Sequence, residues 1–400
     1  MSTVTTETKT KEKLWNSNYT KALLCNFMIF FSFMLVAPLL PIYLQERFAA
    51  DKHTIGVVLS AYTIVALITR SFSGFLVDSL PRKSLLVISF CFMFLFFAGY
   101  ILAGSLLLFA LVRTFHGAPF GLTTVANSTV AIDVLPSSRR TEGIGYYGLS
   151  NNIATAISPS IAVWIYHSTH NFNILFGISM CVAALGMIIA ASIKVPEREL
   201  VRGRQPLSFD RFFLLPGWRL ATNIACFGLS YGVISTYVAI YGQEALGIEG
   251  GSGYFFLILA CSLIVSRLTG SKSLRQGRIS HNASVGAIIS LFGYLLFAIV
   301  PNEWGYFGAA AIIGLGNGHL YPAYQNMFVD LAPNSRRGTA NSSMMISWDL
   351  GSGLGIVLAG FILQHSTYMS AFLMAWGFNL VGVLGFFIYA KQHFETHKLR

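Results

Sequence analysis

Charge is what this chain has least of. Asp, Glu, Lys and Arg make up 11% of its 400 residues, and only 16 residues are acidic. A soluble domain carries about 25% charged residues, so a fold that faces water on every side is excluded. Cysteine is also scarce: Cys25, Cys91, Cys181, Cys226 and Cys261 each stand alone in an apolar run. That spacing excludes a disulfide framework and a thiolate metal site. Clustered nucleophiles, metal ligands and an appended hydrophilic domain are lacking as well, so no enzyme chemistry, metal or cofactor is expected. The first 18 residues hold no apolar core, so no cleaved signal peptide is expected and the first helix serves as the insertion signal.

What the chain has is apolar length. Hydrophobic residues are 54% of the total, with 33 Phe and 37 Gly, and the mean hydropathy is +0.62. Apolar runs predict twelve transmembrane helices at about 21–45, 54–77, 84–103, 105–132, 142–166, 171–193, 218–242, 252–271, 282–300, 304–328, 340–363 and 369–390. The net charge of +11 could suggest nucleic acid. Its placement argues otherwise. Apart from Arg47 and Lys52 in one outer loop, and Arg70, Arg113 and Arg267 inside helices, the Lys and Arg residues fall in the termini and in alternate loops. This asymmetry predicts a multi-pass protein of the inner (plasma) membrane with both termini cytoplasmic. The lipid bilayer is then its solvent, and no nucleic-acid partner is expected.

The two halves repeat. Asp133-Val-Leu-Pro-Ser-Ser-Arg-Arg140 returns as Asp330-Leu-Ala-Pro-Asn-Ser-Arg-Arg337, an interval of 197 residues. Gly74 falls opposite Gly270, and Ile42-Tyr-Leu-Gln45 resembles Ile240-Tyr-Gly-Gln243. The expected fold class is therefore an all-α membrane protein of two six-helix repeats. Residues 1–193 form one bundle, 194–217 a hydrophilic cytoplasmic linker, and 218–400 the second bundle. Parallel repeats around a midplane site suit a transporter that rocks between two openings.

Three segments resemble the major facilitator superfamily, over essentially the whole chain. Gly74-Phe-Leu-Val-Asp-Ser-Leu-Pro-Arg-Lys83 is similar to its G-x-L-x-D-R-x-G-R-K loop, with Ser79 and Pro81 departing from it. Arg113-Thr-Phe-His-Gly117 resembles the R-x-x-Q-G motif of proton-coupled members. Ala154 to Ala162, with Ser158-Pro159, looks like a degenerate antiporter motif, in which Ala154, Ser158 and Pro159 would form a hinge. Arg70 and the stretch Trp348 to Gly355 look like the twelve-helix exporters of drugs and metabolites. The resemblance implies the major facilitator fold, a small-molecule substrate, protons as the coupling ion, alternating access, and a monomer.

Individual residues sharpen these expectations. Asp349 is the one carboxylate well inside a predicted helix, opposite Asn152 in the repeat, and suits proton loading. Arg113, a full charge at membrane depth, suits proton transfer or anion binding, or else a buried structural pair. Asp78 can cap the helix that starts near Asn341, with Arg82 and Lys83 as ion-pair partners and Asp133 as an alternative acceptor. With the small Gly74, these residues form a conformational latch. The expected substrate-binding set is Asn26, His116, Tyr147, Asn151, Asn152, Asn317, His319, Tyr321 and Tyr324, although the same groups can be glue between helices. Arg70 and Arg267 are expected to snorkel to the interface and to be structural rather than substrate-binding. Gly314, Gly316 and Gly318 read as G-x-G-x-G, but inside a membrane helix, which excludes a phosphate loop. Proton-driven export of a drug, metabolite or metal chelator leads; proton-coupled uptake of a sugar or other nutrient is the alternative on the same scaffold.

Overall fold

The computed structural model describes residues 13–50, 52–196, 212–248 and 251–399. Among these there is no strand. The α-helices are α1 (Ser17–Met34), α2 (Leu40–Phe48), α3 (Lys52–Ser79), α4 (Arg82–Leu102), α5 (Leu106–Val134), α6 (Arg140–Thr169) and α7 (Phe172–Ala191), followed by α8 (Trp218–Leu246), α9 (Gly251–Arg275), α10 (Ile279–Ile299), α11 (Glu303–Asp330), α12 (Arg337–His365), α13 (Tyr368–Gly385) and α14 (Lys391–His397). The first expected helix is interrupted at a 3₁₀ turn, Ala37–Leu39. Pro38 and Pro41 cannot donate the backbone bonds a continuous helix needs there. The last runs on through a π-turn, Phe386–Ala390, into α14. Among the described residues, eight helices are long and apolar enough to cross a membrane by composition. The linker cations Arg198, Arg202, Arg204 and Arg211 lie outside the described residues.

Local chemistry sets where the helices start. On the face away from the linker, α5, α7, α11 and α13 begin at Ser105, Asn171, Asn302 and Thr367, whose side-chain oxygens accept from first-turn amides at 2.9–3.3 Å. These caps satisfy orphan N–H groups without a charge. On the linker face, Pro81, Pro136 and Pro333 end extended segments just ahead of arginines. Outward faces carry Ile88, Phe92 and Leu95 on α4, Leu185 and Ile188 on α7, Val381 and Leu384 on α13, and Ile388 in the π-turn that follows it, all exposed. No water-soluble protein could tolerate such a belt; hydrocarbon is its solvent.

The first repeat has its own apolar core, from Ala22 to Ile193. The second holds two, around Phe227–Tyr324–Phe386 and around Tyr241–Phe297–Phe372. Tight crossings substitute for hydrophobic drive inside the repeats. A Cβ at Gly228 would meet Trp348 O at 2.4 Å, and one at Gly351 would meet Ala225 O at 2.0 Å, so α8 and α12 touch backbone to backbone. Between the repeats, α3 packs on α12 and α6 on α9. These two seams hold the polar residues.

Candidate functional site: the seams between the repeats

On the linker face the seam is bolted by charge. The Asp78 carboxylate accepts from Gly338 N (3.0 Å), Thr339 N (2.8 Å) and Thr339 Oγ1 (2.9 Å), the first turn of α12. Those amides have no intrahelical acceptor, and a carboxylate at a helix N-terminus is favoured by the dipole as well. Arg82 Nη2 holds Asp78 at 2.9 Å, Arg82 Nη1 reaches Asp133, and Arg337 Nη1 crosses from the other repeat to Asp133 Oδ1 at 3.1 Å. Asn341 donates to Ser128 across the same seam. Gly74 makes the approach possible, since a Cβ there would lie 2.2 Å from Ser342 Oγ and 2.8 Å from Thr339 Cα. Lys83, expected to pair with Asp78, is exposed and makes no ion pair among the described residues. In the second repeat Leu274 takes the aspartate's place, buried against Gly145. One seam is therefore latched by charge and the other by apolar contact.

Deeper in the membrane the structure corrects the arginine expectations. Arg70 and Arg267 do not snorkel; they are 9% and 6% exposed and turned inward. Arg70 Nη1 forms an ion pair with Asp349, joining α3 to α12. The Asp349 side chain keeps 33% of its surface accessible, against 11% for Arg70. Arg113 stacks over the Tyr62 ring at 3.9 Å, lies 5.4 Å from Phe33, and donates to Tyr100 Oη at 3.1 Å. Cation–π attraction is the compensation that a desolvated guanidinium can obtain without a carboxylate. Around Asp349, Trp348 contacts Tyr321 (5.3 Å) and Tyr231 (5.5 Å). Tyr321 also lies near both Arg70 and Arg267.

Several expected substrate ligands are instead spent within one repeat. His116 is fully buried, with Nδ1 2.7 Å from Tyr100 Oη and its ring against Phe96 and Phe97. Tyr324 is fully buried and donates to Asn223. Asn26 donates to Tyr147 O (3.3 Å) and Ser150 Oγ (2.9 Å). His319 Nδ1 is tied to Asn282 Oδ1 at 2.9 Å; Asn317 is buried, but its Nδ2 has no hydrogen-bond partner among the described residues. Asn151 accepts from Thr155 Oγ1 at 3.1 Å. Tyr321 and Asn152 remain half-exposed along the seams. Ala154 and Ser158 are buried, Ser158 Oγ donates to Ala154 O, and α6 runs unbroken through Pro159.

The aromatic contacts of Tyr231 and Trp348 beside Asp349 were not anticipated, nor was Asn127 as helix glue. Asn127 Nδ2 donates to Ala22 O (3.0 Å) and Tyr147 Oη (2.8 Å), binding α1, α5 and α6. Asn127→Ala should therefore cost about 1–2 kcal/mol, seen as a lower melting temperature in detergent with unaltered solute selectivity. A change of selectivity instead would move Asn127 into the site.

These features define a class: a helical membrane protein of two repeats, closed on one face and carrying its buried charges along the seam. The sequence profile described as the Major Facilitator Superfamily matches residues 22–299 and 273–399. The chain belongs to that superfamily and is one of its transporters. It is 23% identical over 384 residues to the quinolone resistance protein NorA of Staphylococcus aureus, covering 92% of this chain and 95% of NorA. It is 23% identical over 339 residues to the staphylopine export protein of the same species, covering 78% and 81% of the two chains. Among solved structures, the human organic anion transporter MFSD10 (TETRAN) superposes with a TM-score of 0.76 at 14% identity, covering 92% of this chain and 99% of that one. FucP in its outward conformation superposes with a TM-score of 0.74 at 17% identity, covering 94% and 99%.

Proposed function

We propose that this transporter exports a small organic compound (a drug, metabolite or metal chelator) from the cytoplasm in exchange for protons, as a monomer in the plasma membrane with both termini cytoplasmic. The halves, residues 1–193 and 218–400, rock about the seams to give alternating access. The observation that carries the reading is the Arg70–Asp349 pair, a single membrane-depth carboxylate bridging two halves that must part. In the described state the linker face is shut. A proton arriving from the other side neutralises Asp349 and dissolves its attraction to Arg70, which lowers the cost of opening towards the linker. Release of that proton inside restores the carboxylate, and the pair re-forms as the face closes. The names of NorA and the staphylopine exporter support outward transport of organic compounds.

The test is a panel of drugs, sugars, amino acids and chelators presented to sealed proteoliposomes holding a pH-sensitive dye. Proton flux opposite to solute movement is expected. Proton and solute moving together would replace export with uptake, and solute flux without any pH change would remove proton coupling.

A further inference from the structure

The second seam contains a buried cation with no counter-ion among the described residues. Arg267 is 6% exposed, and neither its Nε nor its Nη1 has a hydrogen-bond partner among the described residues. The repeat shows what is missing. Arg267 stands 197 residues after Arg70, and Asn152 stands 197 residues before Asp349. The α3–α12 and α6–α9 seams are thus copies of one another. In the first copy the arginine meets a carboxylate. In the second, the equivalent position holds an amide, and Asn152 Nδ2 itself has no partner. An amide cannot neutralise a guanidinium.

The surroundings do not supply the charge either. Gly148, one turn before Asn152, brings the α6 backbone close: a Cβ there would lie 2.8 Å from Arg267 Nη2. Tyr19, Tyr321 and His319 interact electrostatically with Arg267, and none is anionic at neutral pH. Glu142, further along α6, is held by Arg139 Nε (3.0 Å) and Nη2 (2.8 Å). A desolvated cation without a partner is strongly unfavourable, and this one is kept where the two halves meet.

Building on the transport reading above, we infer that Arg267 binds the anionic group of the transported solute, a carboxylate or phosphate, with Asn152 Nδ2 donating a second hydrogen bond. The solute takes the place of the aspartate that the second repeat lacks. One seam closes on the protein's own carboxylate and the other on the cargo's, so an acidic solute completes a charge pattern that a neutral one leaves open. Arg113 is less suited to this role, because the Tyr62 and Phe33 rings and Tyr100 Oη already surround its guanidinium.

The test measures binding without transport. Protein in phosphatidylcholine nanodiscs is titrated with aryl carboxylates, aryl phosphonates and their size-matched neutral amides, and thermal unfolding is followed by tryptophan fluorescence. At least one acid is expected to stabilise the protein where its amide does not. Arg267→Gln, which removes an unpaired charge and should fold as well as the parent, is expected to weaken that binding by roughly ten- to hundredfold. Arg267→Lys should keep part of it. Asn152→Asp supplies the missing carboxylate and is expected to raise the ligand-free melting temperature while abolishing the response to acids. Equal responses to acids and amides, no response to any acid, or an undiminished response in Arg267→Gln each overturn the assignment. Stabilisation by added phosphatidylglycerol that vanishes in Arg267→Gln would make the occupant a lipid phosphate and overturn it too. Acid discrimination that persists while proteoliposomes show no proton-coupled flux would refute the antiport reading alone.

Discussion

Asp349→Asn is expected to lower solute-driven proton flux by roughly 100-fold or more, the scale on which a positioned proton-transfer group contributes. Protein inserted in the membrane should be undiminished. The substitution has a second consequence, because it leaves Arg70 buried and unpaired. Truncating one partner of a buried pair costs about 3–5 kcal/mol when both are dry. The 33% accessibility of Asp349 places this case well below that range. Arg70→Gln in the same chain should recover the lost stability without recovering the coupling, and Asp349→Glu should keep coupling. The measurement is dye-reported proton flux beside thermal unfolding for the four chains. Coupled flux that survives in Asp349→Asn would sink the assigned role, whatever happens to stability.

The second large effect is expected from the latch. Gly74→Leu places a branched side chain where a Cβ alone would stand 2.2 Å from Ser342 Oγ, 2.8 Å from Thr339 Cα and 3.0 Å from Gly338 O. The serine can rotate away, but the α12 backbone cannot. The linker face should then fail to close, and transport should fall at least tenfold, the loss expected when the closed state is disfavoured by ~1.4 kcal/mol or more. A cysteine placed at Ser128, buried in the closed seam, should become reactive to a polar thiol reagent in the Gly74→Leu background. Asp78→Asn should act in the same direction but more mildly, because it weakens charge-assisted bonds worth about 1.5–3 kcal/mol without steric exclusion. Normal closure in Gly74→Leu, read as a protected cysteine, would remove the latch from the mechanism. Ser342→Gly is not expected to rescue Gly74→Leu, since the contact with Thr339 is to its backbone.

The elements were legible for a plain reason. Hydrocarbon demands long runs with every backbone bond satisfied internally, so spans could be read residue by residue. The positions of Pro81, Pro136 and Pro333, ahead of their arginines, mark the same loops in sequence and structure. The charged contacts of Asp78, Arg82 and Asp133 were legible too, because these residues sit at helix ends, where a span's register leaves little freedom. The site inside the bundle was less accessible. Polar residues such as Asn26, His116, Tyr147 and Tyr324 look alike in a helical stripe whether they face the other repeat or their own. A rotation of one helix by about 100° per residue decides between the two. His116 and Tyr324 were expected in the substrate-binding set and are packed within their own repeat, whereas Arg70 and Arg267 were read as interfacial and are buried.

The chain alone settled the solvent, the approximate limits of its helices, the repeat and the superfamily, because each follows from local hydropathy or from matches along the sequence. Which charges meet was decided only by tertiary packing. Arg70 and Asp349 are 279 residues apart, and nothing local distinguishes their pairing from the unanswered charge of Arg267. That distinction arises where the two repeats are pressed together, and an electrostatic partner is defined by distance across that seam.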